Sequence, residues 1–255
     1  MNDLTVIYYT SNWLDTHNPH FLRNTRKVLE QATRDMPIIS VSQKPVTFSG
    51  VTDHTNICIG DIGRSHLNIY KQILIGCEAA KTEYVAMAED DILYSFDHFH
   101  TFRPSKDTFA YDMSKLSIFT WTKPPLFSFR TKRRVVNSVI ARRKLVISAL
   151  EERFKRIEVL QHEGMSIEQI ESRWGDFTRY EEQLGVKVQT AEEFYSVIPN
   201  IVFSHEHALG YVSRGKNKRL GDIRIIEVPY WGRAEDVLKL FYPEGESFKC
   251  LYKNL

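Results

Sequence analysis

The chain reads as an α/β protein built on a mostly parallel sheet flanked by helices, and three observations lead there. Short β-branched and aromatic runs alternate with helical patterns over the first ninety or so residues. Turn signals separate them. One of these runs, Tyr84 to Ala88, passes directly into Glu89-Asp90-Asp91, and in an open α/β sheet the carboxyl ends of the strands face a ligand crevice.

The elements follow in order. Leu4 to Thr10 is β-branched and aromatic, as a buried strand requires. A polar loop spans Ser11 to His20, and Phe21-Leu22, Thr25, Val28-Leu29 and Ala32 then recur at helical spacing. Pro37 introduces a strand at Ile38 to Ser42, completing a βαβ start. Asn56 to Ile59 is a third strand, and Gly60-Asp61-Ile62-Gly63 turns into a helix from Ser65 to Ala80. That turn is neither a Walker loop nor Gly-x-Gly-x-x-Gly, which disfavours P-loop ATPases and Rossmann oxidoreductases.

The second half is expected to be more helical. Strands at Thr108 to Asp112 and Leu116 to Trp121 lead to a basic loop, Thr122 to Arg134, and a long helical pattern from Val135 to Gln161. Ser166-Ile167-Glu168-Gln169 and Thr190-Ala191-Glu192-Glu193 both have capping-box spacing, so each predicts a short helix. Tyr195 to Phe203 and Ile223 to Val228 complete the strands, and Ala234 to Phe241 is the last helix. The expected division is 1–121 and 122–255, within one continuous domain.

With 255 residues the chain can bury a large core, and 34 Lys plus Arg against 32 Asp plus Glu gives a net charge of only +2. The overall charge therefore points to no polyanion. Its distribution does: Met113 to Leu150 contains no acid. Cys58, Cys77 and Cys250 lack Cys-x-x-Cys spacing and read as reduced, structural thiols, Cys58 and Cys77 buried. No basic and apolar leader opens the chain and no apolar run approaches a bilayer span. A cytoplasmic protein without membrane contact is expected.

Glu89-Asp90-Asp91 supplies hard oxygen donors suited to Mg²⁺ or Mn²⁺ beside a substrate phosphate. Acids after a strand also cap helices, which is the plainer reading. The parallel half, the triplet and the later Ser204-His205-Glu206-His207 together resemble glycosyltransferases of the GT-A type. In those a short acidic motif holds a metal on a nucleotide-sugar diphosphate. Val6 to Asn12, Pro37 to Pro45 and Gly60 to Asn68 further resemble small phage-type, DNA-modifying glycosyltransferases.

The resemblance implies roles. Asp91 becomes the direct metal ligand and a candidate catalytic residue, with His205 or His207 beside it. Tyr8, Thr10, Ser11, Ser42 and Gln43 would hold base and ribose, and Asp61, Ser65, Glu89 and Asp90 would also contact the donor. Arg214 and Lys216 would cover the diphosphate; a solvated loop is the plainer alternative, and their place just after the histidines favours the cover. Asp176 and Glu206 are the candidate general bases.

The acid-free tract bears on the acceptor. Arg130, Lys132, Arg133, Arg134, Arg142 and Arg143 would follow a nucleic-acid backbone, and Trp121, Phe127 and Phe129 would stack on a base. That points to hydroxymethylated pyrimidines in phage DNA, the base leaving its stack. The alternatives are a glycan, lipid-linked sugar or protein acceptor, or a non-catalytic nucleic-acid-binding protein. Arg142 and Arg143 could equally be the wet face of an amphipathic helix.

Overall fold

A computed structural model describes residues 3–105, 108–129, 134–174, 190–205, 208 and 223–242. In chain order the elements are β1 (Leu4–Thr10), α1 (Trp13–His17), α2 (Pro19–Thr33), β2 (Ile38–Ser42), β3 (His54–Cys58), α3 (His66–Ala79) and β4 (Tyr84–Ala88). Then come β5 (Ile92–Leu93), α4 (Phe96–His100), β6 (Thr108–Asp112), β7 (Lys115–Phe119), β8 (Phe127–Phe129) and β9 (Val139–Arg142). The remainder are α5 (Arg143–His162), α6 (Ile167–Trp174), β10 (Thr190–Phe194), β11 (Asn200–Ser204), β12 (Ile223–Ile225), β13 (Glu227–Val228), β14 (Gly232–Arg233) and α7 (Ala234–Lys239).

Among the described residues the main sheet has seven strands in the order β10-β6-β9-β4-β1-β2-β3, with β9 alone antiparallel. The protein is α/β, as the alternating patterns predict. A second sheet runs β12-β8-β7-β11-β5, and β13 and β14 form a ribbon. All residues of β1, β2 and β4 are buried. This is what strands covered on both faces require.

Three apolar cores hold the layers. The first packs Ile7, Val41, Val85 and Ala141 against α3 and α5, and the second packs Val6, Ile38, Ala86 and Ile140 against α2 and α4. The third joins Leu14, Phe21 and Leu22 to the second sheet and to α7. Caps fix the helix starts. The Asn18 carboxamide accepts from Phe21 N with Pro19 at the first helical position, and Ser65 Oγ accepts from Asn68 N. Gly60 and Gly63, at φ 75° and 76°, make the turn before α3 in a conformation that disfavours other residues.

Four expectations are corrected. Val139 to Arg142 is a strand, not the start of a helix, wedged between β4 and β6. A four-residue apolar run lacks the length to declare its period. Thr190 to Phe194 is also a strand, pairing with β6: Glu192 accepts from Ser105 N and Glu193 from Arg134 Nε, so both carboxylates serve partners distant in sequence rather than a cap. Trp13–His17 is a short helix where a loop was expected, and Cys58 is exposed on edge strand β3. The Ser166 box does form, with Gln169 Oε1 accepting from Ser166 N at 2.8 Å and Ser166 Oγ from Gln169 N at 3.2 Å.

Among the described residues no helix is long and apolar enough to cross a membrane.

Candidate functional site

The register of the main sheet places the acids. In the parallel β1–β4 pair Tyr8 lies beside Ala88, so the next residues, Tyr9 with Glu89 and Thr10 with Asp90, become lateral neighbours at the carboxyl edge. Hydrogen bonds follow that geometry. Tyr9 Oη donates to Glu89 Oε1 at 2.9 Å and Thr10 Oγ1 to Asp90 Oδ2 at 2.7 Å.

Glu89 is held from a third side by Asn137 Nδ2, which donates to its Oε2 at 2.6 Å from the 3-10 turn Val136–Ser138. Tyr94 Oη closes the ring, accepting from Glu89 N and donating to the Asn137 carbonyl, both at 3.1 Å. Burial, followed by the Asp91 charge, pushes Glu89 up to about 7 against the hydrogen bonds from Asn137 and Tyr9. The same two causes push Asp90 up to about 6 against the bond from Thr10. Three carboxylates crowded in one partly buried place repel one another.

Asp91 differs from its neighbours. Its Oδ2 lies 3.5 Å from His205 Nε2, and its Oδ1 is buried with no hydrogen-bond partner among the described residues. His205 is 3% exposed and follows β11, whose Phe203 N donates to the Asp91 carbonyl. Two donors on one ion at ordinary Mg–O or Mn–N lengths stand about 3 Å apart, so this pair suits one divalent cation. Among the described residues no three His, Cys, Asp or Glu side chains gather into a cage. An ion held by this pair would have to take its remaining ligands from water and substrate oxygens.

These residues line a cleft of about 280 Å³ together with Ser11, Trp13, Arg64, Ser65, His66, Lys115 and Asn137. Trp13 stacks on His17 with ring centroids 3.7 Å apart, and the Arg64 guanidinium carbon lies 5.1 Å from the Trp13 ring. The wall at α3 is fixed from behind, since the Glu171 carboxylate on α6 accepts from His66 N and Leu67 N. Asn12 joins two strand-end loops, its Oδ1 accepting from Gln43 N at 2.9 Å and Lys44 N at 2.8 Å.

Of the residues expected to bind the donor, Thr10, Ser11, Ser65, Glu89 and Asp90 line the cleft, as do Asp91 and His205. Four do not. Tyr8 points to the opposite face of the sheet, against Phe48 and Arg26. Ser42 Oγ is buried and accepts from Asn56, Gln43 Nε2 donates to the Gly63 carbonyl, and Asp61 accepts from Gly63 N in its own turn. These three build the scaffold around the cleft. Ser65 combines lining with capping α3.

Three residues of the expected nucleic-acid face have partners within the fold. Arg134 pairs with Glu193, Arg142 with Glu83, and Arg143 donates to the Thr82 and Cys77 carbonyls. Trp121 and Phe127 are buried, with 2% and 0% exposure, and present no ring for stacking. Arg130, Lys132, Arg133, Asp176, Glu206, His207, Arg214 and Lys216 lie outside the described residues.

Tyr9, Trp13, Arg64, Lys115 and Asn137 were not anticipated. Alternation puts Tyr8 on the face of Thr10, and the contact of Tyr9 with Glu89 follows from the β1–β4 register, which local patterning does not show. Asn137 reaches Glu89 through a tertiary fold-back with no local signature.

No protein-family model matches the chain, and no curated protein matches it. Solved structures of similar shape include the glycosyltransferase GlyE of Streptococcus pneumoniae TIGR4, with TM-score 0.44 and 12% identity over 74% of this chain and 44% of that one. The apo form of GlyE aligns with TM-score 0.41 and 11% identity over the same shares. The chain thus spans less than half the length of that protein, and a likeness this distant carries no argument about activity.

Proposed function

We propose that the chain is a nucleotide-sugar-dependent glycosyltransferase whose cleft takes the donor beside Asp91 and His205. The observation that carries the reading is the meeting of those two side chains at the carboxyl edge of a parallel sheet, 3.5 Å apart, with Asp91 Oδ1 buried and unpartnered among the described residues. Asp91 and His205 would hold the divalent ion, which when bound offsets negative charge on the departing diphosphate.

The chain's own residues supply the rest. Tyr9 and Asn137 fix the Glu89 carboxylate, while Thr10 fixes Asp90, so the acids keep one geometry as substrate arrives. Trp13, stacked on His17, and Arg64 over its ring form one wall of the cleft. In the transfer the acceptor oxygen bonds to the anomeric carbon as the bond from that carbon to the diphosphate breaks. The nucleoside diphosphate leaves with the electron pair, and the hydroxyl proton passes to water.

For the acceptor, hydroxymethylated pyrimidine in DNA is the reading that the basic residues Arg130, Lys132 and Arg133 of the sequence support; Arg134, Arg142 and Arg143 have partners within the fold. The experiment is donor turnover: Mn²⁺, a panel of nucleotide sugars, and either hydroxymethylpyrimidine DNA or simple sugars as acceptors. Metal-dependent release of nucleoside diphosphate, lost in Asp91→Ala, supports the reading, and mass gained by one acceptor identifies its class. No release from any donor, together with DNA binding that ignores nucleotide, would favour a non-catalytic nucleic-acid-binding protein.

A further inference from the structure

Strand β11 is held in the second sheet by β7, with which it pairs in parallel from Asn200 beside Lys115 to Ser204 beside Phe119. Its joint to the acid triplet is slighter. β5, which follows the triplet, has two residues, and among the described residues two pairs, Ile201 with Leu93 and Val202 with Ile92, join it to β11. Burial of both β5 residues opposes a one-residue slip, which would flip their faces. The ends of so short a ladder need other ties. At one end Phe203 N donates to the Asp91 carbonyl, and at the other the Asn200 side chain takes over, its Oδ1 accepting from Ser95 N at 2.8 Å.

The Asn200 carboxamide has one orientation. It is 2% exposed, and its Nδ2 donates to Asp112 Oδ2 at 3.2 Å. A carboxylate accepts and cannot donate, so Asp112 takes the amide nitrogen and leaves the oxygen to Ser95 N. Asp112 is itself fixed at the end of β6. His98 Nδ1 lies 2.9 Å from its Oδ2, Ser196 Oγ donates to the same oxygen at 2.8 Å, and Ser114 N donates to Oδ1 at 2.9 Å. One buried side chain thus ties the main sheet, β11 and the chain that leaves the triplet. His205 stands five residues further along, about 17 Å of extended chain.

We propose that Asn200 is a positioning residue for Asp91 and His205: by bridging Ser95 N and Asp112 it fixes the register between the chain that leaves Asp91 and the strand that delivers His205. It touches neither the ion nor the donor. The inference rests on the reading of Asp91 and His205 as a metal pair, and it holds for whichever acceptor the cleft serves. Replacing the buried amide by a methyl group leaves two buried polar groups without this partner, and the two-pair ladder is the part that yields. A shift there moves His205 against Asp91, whereas a binding constellation must be held to within about 0.5 Å.

The test is the Mn²⁺ affinity of the full chain in a double-mutant cycle of Asn200→Ala and His205→Ala. Ser196→Ala is the control, since it loosens Asp112 and keeps the bond to Ser95 N. Asn200→Ala should weaken Mn²⁺ binding about tenfold in the wild-type background and by less than about twofold in His205→Ala, while Ser196→Ala leaves the affinity unchanged. A merely structural role predicts the same loss in both backgrounds, or an equal loss in Ser196→Ala. Either result, or undiminished affinity in Asn200→Ala, would overturn the proposal. The imidazole ¹⁵N shifts of His205, assigned by their loss in His205→Ala, read its placement in the metal-free chain. They should move in Asn200→Ala and not in Ser196→Ala, and unmoved shifts in Asn200→Ala would also overturn the proposal. A wild-type chain that binds no Mn²⁺, with His205 shifts that move as expected, would sink the metal reading and keep Asn200 as the residue that places His205. If Asn200→Ala does not fold by thermal melting, Asn200→Ser, whose shorter side chain cannot span both partners, replaces it with the same expectations.

Discussion

Asp91 and His205 come from opposite halves of the chain and meet with Oδ2 and Nε2 3.5 Å apart. The contact depends on two independent chain placements, the end of β4 in the main sheet and the end of β11 in the second. Asp91 lies where its carbonyl accepts from Phe203 N, so the backbone of β11 is tied to the acid triplet two residues before the histidine. Replacing His205 by Ala should therefore weaken Mn²⁺ binding by about tenfold or more while leaving the fold intact. Paramagnetic titration of the free ion checks it; unchanged affinity would remove His205 from the site.

A buried polar network away from the cleft sets an acid limit to stability. Burial alone would raise Asp112, but hydrogen bonds from His98, Ser196 and Ser114 N outweigh it and hold the carboxyl below its ordinary 3.8. A depressed carboxylate pKa stabilises the fold above the unfolded-state value, and that contribution is lost as pH falls through the folded value. Asp112→Asn should be destabilised at neutral pH by about 1–3 kcal/mol, since it disrupts a buried hydrogen-bonded network. The gap to the wild-type chain should narrow below pH 3.8. Urea unfolding at several pH values measures both.

Gly76 lets α3 sit close on the sheet. A Cβ there would come within 2.6 Å of Ile7 Cγ2 and 3.2 Å of Val41 Cγ2. Gly76→Ala gains about 1 kcal/mol of helix propensity, yet the overpacking costs about 1–3 kcal/mol. Net destabilisation is expected, read as a lowered urea midpoint. A stabilised variant would show that α3 shifts freely.

Arg142 and Arg143 serve the fold. Arg142 pairs with Glu83, at 29% and 52% side-chain exposure, so that pair contributes at most about 1 kcal/mol. Arg143 holds the Thr82 and Cys77 carbonyls. The double replacement by Ala should lower stability by about 1–2 kcal/mol and leave the salt dependence of any DNA affinity unchanged. A shallower salt slope in the variant would return both residues to a nucleic-acid face.

Much of the fold was legible because its signals are local. β1, β2, β4 and β6 are β-branched or aromatic runs with clear ends, and Ser65 and Ser166 announce the helices that follow them. The acid triplet was legible for the same reason, lying directly after a buried strand. What local patterning misplaced was decided by pairing. Val139 to Arg142 became a strand because β4 and β6 leave a slot for it, and Thr190 to Phe194 did so because β6 had a free edge. Tyr9 replaced Tyr8 at the cleft through the β1–β4 register, and Asn137 arrived by a long-range fold-back.

The most direct test of the central claim is the affinity of nucleoside diphosphates for the chain with and without Mn²⁺, in the wild-type sequence and in Asp91→Asn. Binding that needs the ion and disappears in the variant is the predicted result. Equal nucleotide affinity with and without Mn²⁺, or binding undiminished in Asp91→Asn, would contradict the assignment of Asp91 and His205 to a metal-assisted donor site.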